Sequence, residues 1–162
     1  MGDRLAATDM PTSDSASHEQ QSAESLILEQ VARIVGAELR PRRLYLTSGA
    51  YVEVDGVAED ESVLVEVFAH QGALRGGQRH KIATDVLKLI TVGRDRTPSP
   101  RLVLAFADSA VANWAAGKSW LATSIASWNV EVMVADLDDV IRAGIRDAQA
   151  RQVMINPNAG ET

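Results

Sequence analysis

The stretch from Tyr51 to Leu89, YVEVDGVAEDESVLVEVFAHQGALRGGQRHKIATDVLKL, decides how the chain reads. Residues 50–58 and 63–69 are β-branched or alternating runs, and the polar cluster Glu59, Asp60, Glu61 and Ser62 between them suits only a connection, so the pair predicts a hairpin. An acid stands inside each strand: Asp55 in the first and Glu66 in the otherwise apolar VLVEVF of the second. An ionised carboxylate facing a core must find a partner or a metal, which makes these two residues the main functional clue. Side chains repeat every two residues along a strand. Glu53, Asp55 and Val57 therefore share one face of the first strand, and Leu64, Glu66, Phe68 and His70 one face of the second. After Gly72, Gly76 and Gly77 the period lengthens to that of a helix from about Gln78 to Ile90. Its apolar stripe is Ile82, Ala83, Val86, Leu89 and Ile90, and Gln78, Lys81, Asp85 and Lys88 line one polar edge beside it.

Working outward, Ser22 or Ser25 is a cap for a helix reaching about Leu39, with Leu26, Val31, Ile34, Val35 and Leu39 at helical spacing and Pro41 as its stop. Arg43 to Leu46 reads as a short strand that opens an antiparallel meander. Beyond the loop Gly93 to Pro100, Arg101 to Ala107 and Val130 to Ala135 are apolar strands around a helix running from Asp108 or Ser109 to about Ser127. Apolar runs bounded by a helix predict a parallel βαβ unit. Trp114, Leu121 and Ile125 are spaced to pack on the sheet, and a last helix spans about Asp138 to Gln152. The polar stretch from Met1 to Gln21 lacks the large apolar side chains that would offset ordering entropy and reads as a disordered tail, with residues 154–162 fraying at the other end. One domain over residues 22–153 is the expectation.

The 162 residues include no cysteine, which removes thiolate metal sites, disulfides and a cysteine nucleophile. No apolar h-region opens the chain and no window is long enough to span a bilayer, so the expectation is a cytoplasmic protein without membrane contact. The net charge of −6 argues against nonspecific nucleic-acid binding over the whole surface. Its distribution is uneven: between His70 and Arg101 seven basic side chains stand against two acids. Such a stretch can steer a polyanion to one face, or it can be a solvated helix and loop. The glycines at 72, 76 and 77 have neither Walker nor GxGxxG spacing, and no serine lies in a GxSxG elbow.

An opening helix, a hairpin bearing an Asp and then a Glu, and a following helix with basic and amide side chains resemble the PD-(D/E)XK nuclease superfamily over roughly Ser22 to Leu137. The resemblance implies an α/β restriction-endonuclease-like fold of order α-β-β-β-α-β-α-β-α, with a mixed central sheet flanked by helices. It implies that Asp55 and Glu66 hold a divalent ion, Mg2+ or Mn2+, and that the protein binds DNA or RNA and hydrolyses its phosphodiester bonds. The family's lysine two residues after the second acid is here Phe68. Lys81 is the substitute expected from the next helix, ahead of His70 or Gln71, with Gln78 as an orienting side chain; where some members have Tyr four residues after this Gln, the chain has Ile82. Glu29 resembles the extra acid that some members add to the metal, and equally pairs with Arg33 at i,i+4. Arg75, Arg79 and Lys88 are the expected phosphate contacts. By analogy of fold a homodimer is expected for cutting both strands, and the N-terminal tail is a candidate protein-binding segment.

Alternatives from the residues themselves stay open. Asp55-Gly56 is also common bulge or turn chemistry. Glu66 also fits a buried bridge to Lys81, Lys88 or Arg79. Phe68 and the acidic body favour a second function, a noncatalytic nuclease-fold module for binding or assembly.

Overall fold

A computed structural model describes residues 13–155. The elements are α1 (Ser13–Val35), β1 (Leu39–Tyr45), β2 (Tyr51–Ala58), β3 (Val63–Phe68), α2 (Gly76–Asp95), β4 (Arg101–Phe106), α3 (Ser109–Ala115), α4 (Trp120–Ser127), β5 (Val130–Val134) and α5 (Asp139–Ile155). The sheet has five strands in the order β1-β2-β3-β4-β5. β1, β2 and β3 pair antiparallel, and β3, β4 and β5 pair parallel. The chain is therefore α/β with a mixed sheet between helices, in the restriction-endonuclease-like arrangement that the hairpin and its acids lead one to expect.

β3 is the central strand and every one of its residues is buried. Leu64 and Phe68 pack with Ile82, Val86 and Leu89 of α2 on one side of the sheet, while Val63, Val65 and Val67 pack with Ile27 and Val31 of α1 and Ile145 of α5 on the other. The period-two alternation thus feeds two cores. Glu66 shares its parity with Leu64 and Phe68, so its carboxylate enters the core on the α2 side.

Several boundaries differ from the sequence expectation for local reasons. The segment from Ser13 to Gln21, read as part of a disordered tail, belongs to α1. Helix-compatible Ser, Ala, Glu and Gln residues extend a helix whose later turns are anchored by Ala23, Ile27 and Val31. Residues 1–12 and 156–162, the remainder of the expected tails, lie outside the described residues. Gly36, at φ +71°, ends α1, its N–H donating to Ala32 O at 2.9 Å, so Pro41 is not the stop. Leu39 and Pro41 are strand residues of β1. α2 runs past Ile90 through Gly93, where an added Cβ would stand 3.0 Å from Leu102 Cδ1: this glycine serves close helix–strand approach rather than termination. The single helix expected over 109–127 is two, because Ser119 accepts the Ala122 N–H and starts α4 afresh after Gly117. Trp114 packs at the core margin as expected, while Trp120 is exposed.

Candidate functional site

The site begins with an irregularity in the sheet. Arg40 pairs with Val57 and Arg42 with Val54, so Asp55 and Gly56 of β2 stand opposite Pro41 alone. This is a β-bulge, placed where β1 has no N–H to give. Gly56 lets α1 approach closely, since a Cβ would fall 2.3 Å from Leu28 Cδ1 and push that side chain aside. Beyond the bulge β2 leaves β3, whose register with it consists of Gly56↔Val65 and Val57↔Leu64. Asp55 reaches across the notch that opens there, and its Oδ2 accepts the Val67 N–H at 2.9 Å. The bulge at Asp55-Gly56 is thus what turns Asp55 toward β3.

Glu66 lies on the neighbouring strand and is 1% exposed. Lys88 Nζ stands 2.7 Å from its Oε1 and is its charged partner. Burial and then the nearby Asp55 carboxylate push the Glu66 pKa up to about 8, against the opposing pull of Lys88. Asp85, also buried, takes Lys81 Nζ at 2.7 Å and lies 3.6 Å from Lys88 Nζ. Burial alone would lower the Lys81 pKa, but Asp85 first, then Asp55 and Glu66, hold it above the usual lysine value. Its ammonium sits 5.7 Å from the Phe68 ring centroid, over the residue that occupies the family's lysine position.

The charges of Asp55, Glu66 and Lys81 act on one another, and Lys88 stands between Glu66 and Asp85 beside α2. Lys88, expected as a phosphate contact, stands 2.7 Å from Glu66 and 3.6 Å from Asp85. Glu29 is exposed and pairs with Arg33 at 3.9 Å, the i,i+4 alternative to a metal role. The acid that α1 does supply is Glu24, whose pKa is raised by burial and, after an opposing hydrogen bond from Gln20, by Asp55. Glu24 was discoverable from its position one turn before Leu28 in the helix expected from Ser22. Gln78 accepts the Arg75 N–H at 2.6 Å and so caps α2, while its side chain also borders a cavity of about 170 Å³ shared with Gln20, Glu24, His70 and Lys81. Arg75 and Arg79 are exposed at the start of α2, Arg79 lying 5.7 Å from the Trp114 ring centroid. Gln71 is committed elsewhere, donating to Ala107 O at 3.0 Å from a buried position. Among the described residues no group of three or more His, Cys, Asp or Glu is arranged to hold a metal ion.

No family model matches the chain, and no curated protein matches it. Among solved structures, the apo form of EndoMS, a PD-(D/E)XK-type nuclease, is similar to 82% of this chain at 12% identity and a TM-score of 0.37. The chain spans 49% of that protein's chain, and a likeness this distant transfers neither a residue nor an activity. Among the described residues, no helix is long and apolar enough to cross a membrane.

Proposed function

We propose that this chain hydrolyses phosphodiester bonds of nucleic acid with a divalent metal, at the notch between β2 and β3. The observation that supports this reading is the pair of carboxylates at that notch: Asp55, turned toward β3 at the bulge, raises the pKa of the buried Glu66. A hard divalent cation would relieve the mutual repulsion. The donor set fits magnesium or manganese, since such ions take one or two carboxylates and fill the remaining positions with water and substrate oxygens. Asp55 and Glu66 would hold the ion, which when bound supplies Lewis acidity toward a phosphoryl oxygen and water. Lys81 is kept charged by Asp85 and stabilises negative charge developing on the phosphate. Arg75 and Arg79, exposed at the mouth of α2, position the backbone of DNA or RNA.

The test is calorimetric titration of manganese into the wild type and Glu66→Ala, with cleavage of plasmid and single-stranded DNA by both. Binding and cleavage lost together in Glu66→Ala are the expected result. Cleavage that survives the substitution, or a wild type that binds no manganese, overturns the reading. A specific observation favours a second one: Lys88 already bridges Glu66 and Asp85, so the cluster neutralises itself without a metal, as suits a noncatalytic binding or assembly module. That module would keep nucleic-acid or protein binding while showing no manganese affinity.

A further inference from the structure

We infer that the outer face of the β1–β2 hairpin is a stacking platform for unpaired bases, so that the nucleic acid this site addresses is single-stranded. The inference rests on the reading of Asp55 and Glu66 as a phosphodiester site and names its substrate class. Beyond the bulge, Leu44 and Val52 pair across the hairpin and face the core under α2. Their neighbours take the opposite face: Tyr45 pairs with Tyr51, and Arg43 with Glu53. Both tyrosines are largely open to solvent, at 62% and 53% exposure, with ring centroids 6.0 Å apart and planes tilted by 58°. The Arg43 guanidinium lies 4.1 Å from the Tyr51 ring centroid.

Position and rigidity connect this face to the notch. Tyr51, Glu53 and Asp55 fall in step along β2, and four residues of strand place Tyr51 roughly 13 Å from Asp55. The hairpin end is tied down: Asp95 accepts the Thr47 N–H at 3.0 Å, and Arg96 donates to Tyr45 O at 3.0 Å. Aromatic rings held in place on an exposed strand face, with an arginine plane in contact, are the elements on which unstacked bases lie. A duplex keeps its base faces inside the stack and offers this surface only its backbone. The chain's net charge of −6 and the pairing of Arg43 with Glu53 at 2.6 Å weaken purely electrostatic capture of a backbone here, which leaves stacking as the recognition this face can supply.

The experiment is fluorescence anisotropy of the full chain in EDTA with three labelled probes: an oligothymidylate, an abasic strand of the same length and a blunt duplex. The oligothymidylate should bind at least tenfold more tightly than either other probe. Tyr45→Ala and Tyr51→Ala should each weaken it roughly five- to a hundredfold, and Tyr51→Phe should restore it. Equal affinity for the thymidylate and abasic strands, no binding of the thymidylate, or alanine variants that bind as the wild type does would each overturn the platform. Thermal unfolding of the variants by circular dichroism separates lost stacking from a merely weakened hairpin: reduced affinity counts against the platform if it follows unfolding at the assay temperature and Tyr51→Phe does not rescue it. Cleavage of the thymidylate with manganese is read separately. Tyrosine-dependent binding without any cleavage would sink the hydrolytic reading and leave the platform standing.

Discussion

Two clusters of opposite charge sit at different places along α2, and they solve their electrostatics differently. At the C-terminal end, Arg96 donates to Glu61 at 2.8 Å, to Asp95 at 2.7 Å and to Tyr45 O at 3.0 Å, while Asp95 accepts the Thr47 N–H. Every side chain there keeps some contact with solvent, and the Arg96 pKa is raised by Glu61 first. Around Lys81, Asp85 and Lys88, two of the acids are buried, and Glu66 carries a pKa of about 8. The first cluster is a solvated tether for the hairpin, and the second is a buried one whose acid is held above its ordinary pKa. Cavity size does not separate them in that order: about 420 Å³ adjoins the tether and only about 170 Å³ borders the notch.

The largest expected difference between the clusters comes from removing the cation of each. Lys88→Met leaves Glu66 and Asp85 facing one another in the core and should cost about 3–5 kcal/mol in urea unfolding at pH 8. Much of that loss should return in the Lys88→Met, Glu66→Gln double variant, and additive losses would mean that the two residues do not interact. The pH dependence comes next. The folded pKa of Glu66, about 8, lies above its ordinary 4.5, so the folded state holds this proton more tightly than the unfolded one. The contribution from Glu66 is therefore fully favourable below about pH 4.5 and is lost as pH rises toward 8, a change on the order of a few kcal/mol. Glu66→Gln should flatten that slope in unfolding curves taken at intervals between pH 5 and 8.5, and an unchanged slope would remove Glu66 as its source. Millimolar manganese should stabilise the wild type toward the alkaline end and leave the Gln variant unmoved.

At the tether, Arg96→Met should cost about 1–3 kcal/mol, since three charge-assisted or backbone hydrogen bonds are lost from partners that water can partly reach. It should leave manganese affinity at the notch unchanged. A variant that lost metal affinity as well would show that the hairpin tether also sets the geometry of Asp55, and would merge the two regions into one functional unit.

The central hairpin was legible because alternation and burial are local properties: Val63–Phe68 could hardly be anything but a strand, and an acid at position 66 could not be neutral to its surroundings. Asp55-Gly56 was legible as a bulge for the same reason. What escaped was whatever depended on facing partners. A bridge from Glu66 to Lys81, Lys88 or Arg79 was legible, but only the approach of β3 decides that Lys88 is the partner while Lys81 meets Asp85. The upstream limit of α1 escaped because Ser13–Gln21 carries little apolar surface and is helical as an extension of a packed helix. Tyr45 and Tyr51 were unremarkable until the register set them opposite each other on an open face.

The smallest expected effect concerns the two acids of α1, and it separates spacing from placement. Glu29 and Arg33 satisfy the i,i+4 rule at 3.9 Å in solvent, so Glu29→Ala should cost at most about 0.5 kcal/mol and leave manganese binding as it was. Glu24 lies five residues earlier on the helix surface that borders the notch, where burial raises its pKa and the Asp55 carboxylate adds to the shift. Glu24→Gln removes that repulsion and takes a negative charge from the edge of the site, so manganese should bind more weakly while apo stability holds or rises slightly. Calorimetry on the two variants decides the matter. Equal effects on metal affinity would mean that the site extends to the solvent face of α1, and a silent Glu24→Gln would confine it to the two strands and α2.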